Sequence, residues 1–151
     1  MGTDFMDYAR HIQVCDLVSL TTLSKSTIHS LMRVGTFPLS IPLLGRSKVW
    51  LFKDVETWMS DQIAARNLNS QYDYRFSYDE YRTALPKFIS TVTIAEKFKI
   101  PRSSLYELMK TEGFPLSVEL SERRVAWVES EVVDWVMSRK PQDESHKISL
   151  L

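Results

Sequence analysis

The chain of 151 residues contains one segment twice. LMRVGTFPLS at 31–40 returns as LMKTEGFPLS at 108–117, and Leu31 and Leu108 are 77 positions apart, as are Trp50 and Trp127. A repeat constrains a fold strongly, because each copy must be one supersecondary unit that buries equivalent positions. At the same offset and without a gap, Ile12 meets Ile89, Leu17 meets Ile94, Leu23 meets Ile100, Ile28 meets Leu105 and Met32 meets Met109. Phe37 and Pro38 meet Phe114 and Pro115, Leu43 meets Leu120, Arg46 meets Arg123, Val55 meets Val132 and Trp58 meets Trp135. The matches are mostly apolar, so they are expected to mark a core common to two units, 8–66 and 86–139.

Within each unit the hydrophobic period changes along the chain. Ile94, Ala95 and Phe98 share one helical face, as do Leu17, Val18 and Leu20, which predicts a short first helix. Ser24 suits the N-cap of a second helix with Ile28, Leu31 and Met32 inward; in the second unit Pro101 opens it and Gly113 closes it. Paired extended segments follow, SIPLL with KVWLF and SVEL with RVAWV, each bracketing a polar turn and reading as a β-hairpin. A third helix carries Val55, Trp58 and Ile63, or Val132, Trp135 and Val136, with Asp54, Glu56, Glu129 and Glu131 in its first turn, where acids complement the macrodipole. The fold class is mainly α with small β-hairpins. Units of about 60 residues bury only roughly 60% of their unfolded surface and are marginal alone, so Trp50, Trp58, Trp127, Trp135, Phe37 and Phe114 are read as core anchors.

Composition narrows the function. Lys plus Arg equal Asp plus Glu at 19 each, which excludes a polycation that binds nucleic acid by bulk charge. No apolar run approaches the roughly 18 residues of a membrane span, and the start MGTDFMDYARHIQ lacks the zones of a signal peptide, so a cytoplasmic, nucleoid-associated location is expected. His11 and Cys15 are four apart and would form at most half a metal site on one helix face; Cys15 is better read as a small core thiol. No metal, no cofactor and no catalytic residues are expected. There is no P-loop, glycine-rich dinucleotide turn or paired nucleophile and base.

The signatures SKSTIHSLMRVGTFPLS with Trp50 and Trp58, and IPRSSLYELMKTEGFPLS with Trp127 and Trp135, resemble the AlpA-like branch of the MerR-like winged-helix superfamily. The resemblance implies two tandem winged helix-turn-helix units. It further implies a sequence-specific double-stranded DNA-binding protein of a phage or mobile element, acting as excisionase, transcriptional regulator or both. A site-specific recombinase and self-association along DNA come with it as partners. Members usually carry one unit, a capping Ser where Pro101 stands, and a glycine between the first two helices where Thr22 and Lys99 stand.

Physical chemistry supplies the candidate residues independently. In a helix-turn-helix the second helix enters the major groove with its N-terminal residues at base edges. Its outward positions are Lys25, Ser26, Thr27, His29, Ser30 and Arg33 in the first unit, and Arg102, Ser103, Ser104, Tyr106, Glu107 and Lys110 in the second. Of these Glu107 would repel phosphate, and Ser26 and Ser103 have a competing reading as local caps. Arg46 and Lys48, with Arg123 and Arg124, sit at hairpin tips, placed as a wing would be to reach minor groove or backbone. Net neutrality is then expected from charge separation, with Asp54, Glu56, Asp61, Glu129, Glu131 and Asp134 gathered on the third helices.

Residues 67–85 form a connector whose Tyr72, Tyr74, Phe76, Tyr78 and Tyr81 either pack on the units and fix their orientation or form a surface for a second copy or a recombinase, and 140–151 read as a flexible tail. Joined in this way, the units would act as a pseudo-dimer on adjacent or half-repeated DNA elements. The competing reading is a protein-interaction adaptor that keeps the fold but has lost DNA binding in one or both units; Glu107 and Glu112 make the second the suspect.

Overall fold

The computed structural model describes residues 10–68 and 85–141. The aromatic run of the connector and residues 142–151 lie outside the described residues. The first copy runs β1 (His11–Ile12), α1 (Val14–Thr21), α2 (Lys25–Arg33), β2 (Ile41–Pro42), β3 (Lys48–Leu51) and α3 (Phe52–Leu68). The second runs β4 (Phe88–Ile89), α4 (Thr91–Phe98), α5 (Arg102–Thr111), β5 (Val118–Ser121), β6 (Arg124–Val128) and α6 (Glu129–Ser138). Each copy is a winged helix-turn-helix unit. The hairpins are in fact three-stranded antiparallel sheets, ordered β1-β3-β2 and β4-β6-β5. The extra strands escaped the sequence reading because a two-residue strand is too short to show alternation.

Local chemistry sets the element ends. Ser24 Oγ accepts from the Thr27 amide at 3.2 Å and starts α2, whereas Pro101 leaves α5 with no side-chain cap. The bend between the first two helices falls at Thr22 (φ 67°) and Lys99 (φ 58°), so the left-handed conformation that glycine adopts freely is held by ordinary residues in both copies. In α1 the buried stripe is Leu17 and Thr21, one turn apart, with the Thr21 hydroxyl donating to the Leu17 carbonyl at 2.6 Å. Two of the sequence expectations fail here. Val18 is exposed, and Cys15, two residues before Leu17 and therefore on the opposite side of the helix, is exposed rather than a core thiol. His11 lies on β1, so it shares no helix face with Cys15.

The tryptophans close each copy in the same way. Trp50 Nε1 donates to the Pro38 carbonyl at 3.0 Å and Trp127 Nε1 to Pro115 at 3.1 Å, while Trp58 reaches Thr36 and Trp135 reaches Glu112. The Phe-Pro segment is thus pinned to strand and helix by indole donors, which explains why those residue types recur together. Trp135 departs from the expected burial. It is only half-buried, with the Arg139 guanidinium 4.7 Å over its ring.

The core positions are shared in a second sense as well. Along β6 the side chains alternate: Val125 and Trp127 face α4, α5 and α6 of their own copy, whereas Ala126 and Val128, with Phe88, Val118 and Leu120, join the core of the first copy. The second sheet is therefore covered on both faces. Its outer face meets α3 through β5 and α1 through β4, and Phe88 sets its ring edge-on to Trp58 at 6.4 Å. Arg66, near the end of α3, crosses to the second copy and forms a two-pronged ion pair with Glu131 at 2.6 and 2.8 Å, both side chains about 5% exposed or less. It also donates to the Leu116 carbonyl at 3.1 Å. Glu131 is thus not one of the solvated acids that charge separation required; its partner lies 65 residues away, where local sequence carries no sign of it.

Candidate nucleic-acid interface

The outward face of α2 carries Lys25, Ser26, Ser30 and Arg33 in solvent, with Thr27 and His29 half-buried beside them. Its first turn is a cluster of hydroxyls: Ser24 Oγ lies 2.8 Å from Thr27 Oγ1 and 3.2 Å from Ser26 Oγ, and Ser30 Oγ donates to the Ser26 carbonyl. These bonds fix the hydroxyls in place; Ser24 Oγ is fully used by its three bonds, whereas Ser26, Thr27 and Ser30 keep lone pairs for a further donor. On α5, Arg102, Ser103, Tyr106, Glu107 and Lys110 are exposed and Ser104 is half-buried. Arg46 and Lys48 stand exposed on the first hairpin, whose turn is closed by Leu43 N–H to the Ser47 carbonyl at 2.8 Å.

Cations are free where the helix-turn-helix reading needs them. The side chains of Lys25, Arg33, Arg46, Lys48, Arg102, Lys110 and Arg123 make no ion pair or hydrogen bond with another described residue. On the third helices the acids are partly engaged internally: Glu56 pairs with Lys53 at 3.1 Å, Glu129 with Lys97 at 3.3 Å, and Glu131 with Arg66. Asp54, Asp61 and Asp134 remain exposed.

The hairpin of the second copy is placed differently from that of the first. It packs on α3 and faces α2 across an open crevice of about 750 Å³, lined by Glu119, Ser121, Glu122 and Arg123 with Thr27 and Ser30. Arg124 reaches across and donates to the Thr22 carbonyl at 2.6 Å, so its guanidinium is engaged between the copies. Arg123 and the polar face of α2 share one surface although 90 residues and more separate them in sequence, an arrangement that sequence reasoning missed. Two carboxylates, Glu119 and Glu122, stand beside them.

The sequence model of the family described as Prophage CP4-57 regulatory protein (AlpA) matches the chain twice, at residues 10–63 and 87–140. The chain belongs to this family. AlpA-type units occupy both copies, and each match covers the helix-turn-helix, the sheet and most of the third helix. The chain is also 40% identical over 57 residues to a protein of Enterobacteria phage P4, described as uncharacterized protein ORF88, a match covering 38% of this chain and 65% of that one. The chain therefore spans about two thirds of the length of that curated relative. No solved structure matches it. Among the described residues, no three His, Cys, Asp or Glu side chains are grouped to hold a metal ion, and no helix is long and apolar enough to cross a membrane.

Proposed function

We propose that this AlpA-family regulator binds double-stranded DNA sequence-specifically, without catalysing a reaction, and controls transcription, excision or both in a phage or other mobile element. The observation that carries the reading is the set of cations on α2 and the first hairpin, Lys25, Arg33, Arg46 and Lys48, whose side chains are unpaired among the described residues, around a hydrogen-bonded cluster of hydroxyls. Cations that meet no protein carboxylate can neutralise phosphate, while Ser26, Thr27, His29 and Ser30 are offered to base edges. Arg102, Ser103, Ser104, Tyr106 and Lys110 form the corresponding surface on α5. Arg123 adds to the α2 surface, and Arg124 serves mainly to hold the copies together. In this reading the protein works on bacterial DNA in the cytoplasm, and a site-specific recombinase is the partner that an excisionase role requires.

The mixed charge of the second hairpin, with Glu119 and Glu122 beside Arg123, favours the adaptor reading for copy two alone. Salt dependence separates the readings. With duplex DNA selected from a random pool against the full chain, log affinity should fall linearly with log salt, and Arg33→Ala and Arg46→Ala should each reduce the slope by about 1. A flat salt response with no selected sequence would overturn DNA binding. An excision assay with the element's own recombinase tests the finer role, and excision unchanged by the protein would remove it.

A further inference from the structure

The two copies meet through unlike surfaces. The first contributes Trp58, Met59, Ile63 and Arg66 of α3 together with the Thr22 carbonyl; the second contributes the outer sheet face, Phe88, Val118 and Leu120, with Glu131 and Arg124. If a two-fold axis related the copies, the same contact would form again with the roles exchanged. His11, Ile41 and Leu43, each 77 positions before Phe88, Val118 and Leu120, would then lie buried against α6. Instead His11 is exposed, Ile41 is 39% and Leu43 59% exposed, and the second copy carries exposed Arg139 and Lys140 where the first has Gln62 and Ile63. The arrangement is head to tail. It is also locked, because the buried Arg66–Glu131 pair and the continuous apolar core leave no hinge at the contact.

We infer that one chain reads a DNA site without two-fold symmetry, either a direct repeat or a single composite sequence, and never an inverted repeat. The inference rests on the DNA-binding reading above and specifies its target. A palindromic operator mirrors a two-fold axis in the protein that reads it, since only that axis presents equal helices to equal half-sites. Rigid head-to-tail copies present their second helices in unequal surroundings. Moreover, α2 is flanked by the second hairpin, so Thr27, Ser30 and Arg123 face the same crevice and address one end of the site together. No hairpin of a further copy flanks α5 in this way within the described residues.

The test is selection from random duplex DNA, with the DNA recovered only from the complex that sedimentation shows to hold one full chain per duplex. The motif is expected to lack dyad symmetry, the hydroxyl-radical footprint to be unequal on its two sides, and Arg33→Ala to lower backbone protection at one end only. Arg33 is exposed, so this variant should fold normally. A palindromic motif with equal half-sites would overturn the inference and leave DNA binding intact. Failure to enrich any motif at low salt would overturn both.

Discussion

The outer face of the first sheet and that of the second are the same positions in the repeat, yet one is largely open and the other is core. Ile41 and Leu43 are exposed, whereas Val118 and Leu120 are buried against the first copy; Asp54 is in solvent, whereas Glu131 is sealed in an ion pair. Equivalence in sequence therefore fixed the secondary structure of each copy without fixing what covers it. Trp58 and Trp135 repeat the lesson. Phe37 and Phe114 pack on Trp58 and Trp135 alike, but the first is covered in addition by Phe88 from the other copy, whereas the second has its neighbour Arg139 over the ring.

The largest difference should appear at the acid. Glu131→Ala leaves Arg66 charged and buried without its partner and is expected to lower stability by about 3–5 kcal/mol in urea unfolding, against about 0.5 kcal/mol or less for Asp54→Ala. Near-equal effects would mean that the copies do not pack through this pair. Next comes the apolar face: Leu120→Ala should cost about 2–5 kcal/mol through the cavity it leaves, and Leu43→Ala under about 1 kcal/mol, because Leu43 is already in water. A large loss at Leu43 would show that its face is covered too.

Smaller contrasts concern the helix ends. Ser90 Oγ accepts from the Thr93 amide at 3.3 Å and caps α4, while the matching Gln13 gives α1 no side-chain cap. Ser90→Ala should destabilise by about 1 kcal/mol and Gln13→Ser should stabilise by somewhat less, both read as shifts in thermal midpoint. The smallest effect is expected at the helix bend. Lys99→Gly relieves a left-handed conformation but adds freedom to the unfolded chain, for a net gain of a few tenths to about 1 kcal/mol. A loss there would show that the Lys99 side chain contributes more than its backbone geometry suggests.

Local patterning was enough to reveal the repeat, the order of the six helices, the cap at Ser24, the paired tryptophans and the outward residues of α2 and α5. Those features depend on neighbours within a few positions, where the helical and strand periods are written directly in residue order. Burial of Cys15 was misread because a lone small residue carries no periodicity. Only the tertiary structure decided that the second sheet is buried on both faces, that Arg66 meets Glu131, and that Arg123 lies beside α2. Each depends on groups 30 or more residues apart whose meeting follows from shape complementarity between whole surfaces, and a repeat that reads identically in both copies cannot say which of two matching faces will be the covered one.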